Sequence, residues 1–302
     1  MSQLLSFLAG FFSAGVTLGA AHFFGFSFNG FGAVRNAAHN AASKKPDAAS
    51  SYAEDALSLA VVLHPRLIPP YAPMLHMDGL TDDEKQIARA IHQKLQALAT
   101  AAKNISAAFA LFQLCQEKFQ QQLERHKQAN DYSSIRNTLF TEWDLVAARS
   151  GAMSLHNYLE ALSTLRSLIG RIPVWLTLVD TKSLKDAENA FKQAFPFATE
   201  LRNAVGHPEL YHDPKKDMTA PGPYAGPGLT IAAGAAVSIP EFLDNTTFIA
   251  TWSGQVIRYD MVEATPMTVI KITCDCFAAF SRVDPFSPEF RTQGPAGRTG
   301  PK

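Results

Sequence analysis

The hexapeptide Arg202-Asn203-Ala204-Val205-Gly206-His207 places a guanidinium, an amide and an imidazole within about one and a half turns of helix. Each group has a role in breaking a phosphodiester. An imidazole that titrates near neutrality takes a proton from an attacking hydroxyl or gives one to a leaving oxygen. A guanidinium holds the phosphate and stabilises the charge that develops on its oxygens. The amide orients the histidine or shares the phosphate. RNA carries its own 2′-hydroxyl nucleophile, so such a set requires neither a metal ion nor a cofactor. Arg202, Asn203 and His207 are therefore the expected catalytic residues.

Spacing places the three at a helix end. Asn203 and His207 are four apart and share a face. Arg202 lies roughly 140° from His207 on an ideal helix. Gly206 weakens the last turn, and Pro208 pushes His207 out of the helical region. The imidazole then sits where it can swing toward a groove, and a helix C-terminus favours its protonated form. An Arg-x(4–6)-His pattern is expected about once by chance in a chain with this many Arg and His residues. A second match pairs Arg149 with His156, in mid-helix and without the asparagine, and reads as structural. Arg35-Asn36-Ala37-Ala38-His39 is one residue short and falls in a linker.

The elements that must carry this motif are helical. Ala48 to Leu63 reads as a short helix stopped by Pro65, and Ile68 to Pro73 as an extended connector. Thr81-Asp82-Asp83-Glu84 is a capping box that opens a long helix to about Ala129. Ile91, Leu95, Leu98, Ala102, Ile105, Phe109, Phe112, Phe119 and Leu123 make its apolar face, with a kink or break expected near Asn104. After a turn at 130–133, a second helix runs from about Ser134 to Ile169 on a stripe that includes Trp143, Val146, Met153, Tyr158, Leu162 and Leu165. Gly170 and Pro173 end it. A third helix starts near Ser183, is interrupted at Pro196, and resumes through Leu201 and Val205 to carry the motif. Residues 209–228 read as a loop. Alternation around Ser253-Gly254 predicts a hairpin over about 246–262. Thr265 is expected to cap a last helix of about 265–281, before a disordered tail at 284–302. The fold class is thus mainly α, an antiparallel bundle with a small C-terminal β-hairpin and final helix, in one domain over 51–283.

The 302 residues are 47% apolar, enough for a sizeable core, and their formal net charge is zero. That charge excludes the strongly basic class of dedicated nucleic-acid binders, although not an enzyme that touches RNA locally. Three cysteines, Cys115, Cys274 and Cys276, are too few for a secreted disulfide framework, so a reducing compartment is expected. No Lys, Arg, Asp or Glu occurs from Met1 to Ala33, and Leu4 to Phe26 is long enough to span a bilayer. Arg35, Lys44 and Lys45 follow a linker start at 34, so a spanning segment would leave the rest of the chain in the cytoplasm. The alternative is a glycine-rich apolar segment buried against the domain or an oligomer partner.

Long helices followed by Arg-Asn-x-x-x-His at a helix end, with Trp143 to Met153 in the preceding helix, resemble the HEPN superfamily of α-helical domains. The resemblance covers about residues 80–210. It implies a metal-independent endoribonuclease whose site holds Arg202, Asn203 and His207. It also implies a homodimer that brings two motifs into one cleft, and a toxin or defence role with an antitoxin or other protein partner. Other classes stay open: a non-catalytic helical interaction module, membrane-tethered or not, and a nucleotide-binding helical protein. His207, Glu209, His212 and Asp213 offer metal-ligating atoms without the spacing of a zinc site. Cys274 and Cys276 should point to different sides of a helix. Lys182, Lys185 and Lys192 read as a solvated face that could also hold RNA.

Overall fold

The structure, a computed structural model, describes residues 65–129, 139–206 and 223–292, except 227, 233–238 and 240. All of them belong to the unit His64–Lys302. The apolar segment, the linker and the helix expected at 48–63 lie outside the described residues.

The chain is mainly helical, as expected, with two small antiparallel sheets. Helix α1 spans Asp82–Ala129. Its capping box forms as read: the Thr81 backbone N–H donates to Glu84 Oε2 at 2.9 Å, and the Glu84 N–H donates to Thr81 Oγ1 at 3.3 Å. The helix runs through Asn104 without a break. Ile91, Leu95, Leu98, Ala102, Ile105, Phe109 and Phe112 are buried, whereas Phe119 and Leu123 near its far end are half-buried. By length and composition α1 would suit a membrane span, but its apolar stripe is committed to the protein core.

Helix α2, Leu139–Ile169, returns along α1. Gln116 Nε2 donates to Asp144 Oδ2 at 2.8 Å and ties the end of α1 to the start of α2. The expected stripe holds at Tyr158, Leu162 and Leu165. Farther toward the N-terminus it shifts: Trp143, Val146 and Met153 are half-buried, while Ala147, Ala148, Gly151, Ala152 and Leu155 are buried. Small residues prevail there because another element packs close against them.

A 3-10 turn at Pro173–Leu176 leads to helix α3, Thr181–Ala194. Asp180 caps α3, its carboxylate accepting from the Ser183 N–H at 3.0 Å and the Ser183 hydroxyl at 2.7 Å. The break at Pro196 is present, and helix α4, Ala198–Gly206, follows.

The C-terminal part holds more strand than a hairpin. Strands β1, Tyr224–Ala225, and β2, Thr230–Ile231, pair within and beside the stretch read as loop. Strands β3, Phe242–Asp244, β4, Thr247–Trp252, and β5, Gln255–Asp260, form a three-stranded sheet in that order. Buried Asp244 links the two sheets by accepting from the Tyr224 hydroxyl at 3.0 Å and the Gly228 N–H at 2.6 Å. At the β4–β5 turn, Ser253 and Gly254 both take positive φ, at 48° and 73°, as a two-residue hairpin turn requires.

Pairing of Phe248 with Tyr259 and of Ala250 with Ile257 puts these four side chains into the bundle core. Tyr259 is the element that the small residues of α2 accommodate: its hydroxyl donates to the Ala148 carbonyl, and Gly151 lies against its ring. A Cβ at Gly151 would overlap the Tyr259 hydroxyl, so glycine here serves close approach.

Helix α5, Ala264–Ala278, packs on α1 and α3. A buried hydrogen bond of 2.9 Å joins Thr273 to Tyr158 of α2, whose ring stacks on Phe191 of α3 at 4.8 Å. Thr265 is not its cap. It lies inside the first turn, and its hydroxyl donates to the Asp260 carbonyl at 2.6 Å, which fastens the helix to β5. The tail read as disordered begins with a short helix α6, Pro288–Thr292, and Phe290 meets His76 edge-on with centroids 5.0 Å apart.

Candidate functional site

Helix α4 buries Ala198, Leu201 and Ala204 against the bundle. That period places Arg202 and Asn203 on the border of the buried face, and both are half-buried. Arg202 Nη1 donates to Asn203 Oδ1 at 3.1 Å. The asparagine oxygen thus holds the guanidinium. His207 follows the last residue of α4 and lies outside the described residues, as do Glu209, His212 and Asp213.

One group that feels the Arg202 guanidinium is His156 of α2. Burial lowers the His156 pKa first, the nearby Arg202 guanidinium lowers it further, and Glu160, one turn along α2, opposes them. His156 Nδ1 is buried and has no hydrogen-bond partner among the described residues. The ring as a whole is only half-buried. Protonation would make both ring nitrogens donors and leave a buried N–H unpaired beside a cation, so neutral imidazole is favoured.

The second Arg-x(4–6)-His match is therefore divided. Arg149 does not serve His156; it pairs with Glu241, just before β3, its Nε donating to Oε2 at 2.5 Å. Arg149 and His156 are seven apart and share a helix face. That periodicity is the signal that marked His156, but it assigned it the wrong arginine.

The lysines divide as well. Lys192 Nζ donates to Glu188 Oε1 at 2.5 Å. Glu188, on the buried side of α3, also accepts from Arg166 and from Ser163 Oγ at 3.2 Å. Burial alone would push its pKa up, but the Lys192 and Arg166 partners outweigh that and hold it below the usual glutamate value. Lys182 and Lys185 line an open depression of about 320 Å³ with Arg166 and Thr181.

Sequence reasoning missed the carboxyl of Asp144, buried between α1 and α2 beside Cys115. Burial raises its pKa to about 6, and it raises the Cys115 thiol to about 12. Cys274 is exposed and Cys276 buried, on different sides of α5 as read. Among the described residues no group of three or more His, Cys, Asp or Glu is placed to hold a metal ion. Comparison with models of protein families, with curated proteins and with solved structures finds no match to this chain.

Proposed function

We propose that this protein cleaves RNA without a metal ion, using Arg202, Asn203 and His207. The observation that carries the reading is the Arg202–Asn203 hydrogen bond at the border of the buried face of α4, one turn before the helix ends. A guanidinium restrained in this way loses less side-chain freedom when it clamps a phosphate. The 2′-oxygen attacks the adjacent phosphorus, and the bond from phosphorus to the 5′-oxygen breaks. Arg202 balances the charge that builds on the non-bridging oxygens. His207 moves a proton at the attacking or the leaving oxygen. The products are a 2′,3′-cyclic phosphate and a 5′-hydroxyl.

The resemblance to HEPN domains extends the proposal to a homodimer with a shared cleft, a toxin or defence role, and an antitoxin or other protein partner. The site works in the cytoplasm, or at the inner face of the cytoplasmic membrane if residues 4–26 span it. The mainly helical fold is consistent with this class, although it does not discriminate among helical families.

A second reading, a non-catalytic interaction module, draws support from exposed apolar side chains: Tyr71 is 98% exposed, Phe286 69% and Ile68 63%. One assay separates the two. A mixed RNA pool is incubated with wild-type protein in EDTA, and with Arg202→Ala and His207→Ala. Cyclic-phosphate ends should form with wild type and fall about a hundredfold or more in each variant. RNA left intact with and without added metal would reject the nuclease and favour the module. Cleavage that survives both substitutions would move the site elsewhere.

A further inference from the structure

We propose that residues 68–74 form a preformed polyproline-II ridge, which docks into an aromatic-lined groove of a partner domain that reads proline-rich segments. The inference does not depend on the nuclease reading and stands or falls separately from it.

Proline occupies three of the five positions 69–73. Each proline fixes its own φ near −65° and pushes the residue before it to extended backbone. That leaves residues 68–73 few conformations besides the left-handed polyproline-II helix, which repeats every three residues. Residues 69–77 belong to no helix or strand, and exposure along this stretch follows that period. Ile68, Tyr71 and Met74, three apart, are 63%, 98% and 52% exposed. The column Leu67, Pro70 and Pro73 is buried at both ends and half-buried at its middle. In the column Pro69, Ala72 and Leu75, the first two are half-buried and the last is buried. Two columns therefore face the protein and one faces solvent.

The ridge is held at both ends. Leu67 is buried in a 3-10 turn, Pro65–Leu67, that lies against α5. Leu75 joins the bundle core, the His76 N–H donates to the Val283 carbonyl at 2.8 Å, and the His76 ring meets Phe290. Binding then costs little ordering, since the prolines and these anchors already restrict the backbone.

The chemistry of the ridge selects its occupant. Its prolines have no N–H, so it cannot offer the ladder of an added strand. Among the described residues the main chain of residues 69–75 makes no hydrogen bond, so its carbonyls are available as acceptors. A hydrocarbon phase would leave those carbonyls unpaired at considerable cost. A groove of Trp and Tyr side chains meets both demands. The rings pack on proline and apolar surfaces, and their N–H and O–H groups donate to the carbonyls. A polyproline-II ridge has a similar outline read in either direction, so charge sets its orientation. Exposed Arg66 stands at one end and exposed Asp78 at the other. The complementary groove carries an acidic group at the Arg66 end.

The test uses the full chain, with purified SH3, WW and EVH1 domains immobilised as probes and melting curves to compare folding. At least one of these domains should bind wild type saturably. Tyr71→Asp, at a side chain almost wholly in solvent, should fold as wild type and bind about tenfold or more weakly. Pro69→Ala combined with Pro70→Ala keeps the exposed column but frees the backbone, and should weaken binding severalfold. Phe242→Ser, at an exposed apolar side chain on β3, should bind within about twofold of wild type. No saturable binding to any of the three domain classes overturns the proposal, as does binding that Tyr71→Asp leaves unchanged. Equal losses in Tyr71→Asp and Phe242→Ser would show unspecific apolar adhesion and overturn it as well. Phosphatidylcholine vesicles, with and without phosphatidylglycerol, form the last arm. Vesicle association that Tyr71→Asp abolishes would give the ridge to lipid and overturn the groove.

Discussion

Arg202 of α4 lies beside His156 of α2, close enough that its guanidinium disfavours the protonated imidazole. The two residues belong to different matches of the same short pattern, and neither match pairs them. Folding has exchanged partners: Arg149 goes to Glu241, Arg202 to Asn203 and His156.

The first prediction concerns that pair. Burial is the larger cause of the lowered His156 pKa, and Arg202 the next. Arg202→Gln should therefore move the His156 pKa upward without restoring its ordinary value. NMR titration of the histidine ring reads this directly. An unchanged His156 pKa in the variant would mean that the two groups do not interact in solution.

The second concerns Gly151. Its substitution by Ala drives a methyl group into the buried Tyr259 hydroxyl, and overpacking of this kind costs about 1–3 kcal/mol. Removing the hydroxyl in Tyr259→Phe loses the bond to the Ala148 carbonyl but makes room. The double variant should therefore be more stable than the sum of the two losses, with a coupling of about 1 kcal/mol. Urea unfolding of the four proteins measures it, and strict additivity would refute the contact.

The third concerns Asp144. Its folded pKa of about 6 lies above the ordinary value of 3.8. The folded state then holds the proton more tightly than the unfolded chain does. The contribution is fully present below about pH 4 and is lost as pH rises through about 6. Asp144→Asn keeps an acceptor for Gln116 and no longer ionises. It should flatten the pH dependence of thermal unfolding between pH 4 and 7, and it should melt higher than wild type at pH 7. A variant that melts lower at pH 7 and tracks the wild-type profile would rule out a destabilising carboxylate at this place.

The fourth separates Arg149 from the site. Its side chain is 45% exposed and its partner Glu241 is 11% exposed. Arg149→Ala should cost about 1 kcal/mol of stability or less and leave RNA cleavage within about twofold of wild type. A hundredfold loss of cleavage with unchanged melting would instead place Arg149 at the reaction.

Much of the helical architecture was legible in the chain because its causes are local. The capping box at Thr81 and Glu84, the 3.6-residue face from Ile91 to Phe112, and the breaks at Pro196 and Ser253-Gly254 depend on residues a few positions apart. Strands β1, β2 and β3 were not legible, because two or three residues carry too little alternation to register. Nor was the role of Thr265, whose hydroxyl finds a strand carbonyl in place of a helix end.

The candidate site divides in the same way. Sequence alone placed Arg202 and Asn203 side by side near the end of a helix, with His207 next in the chain after its last residue, since spacing along one helix settles which residues can meet. It could not decide which group lies across from them. That depends on the contact between α2 and α4, and so on the small buried residues of α2 that admit Tyr259 and on the register in which the helices pack. A charged side chain responds to neighbours in space, whatever their distance along the chain. Tertiary structure alone therefore gave His156 to Arg202, Arg149 to Glu241, and a buried carboxyl to the α1–α2 pair.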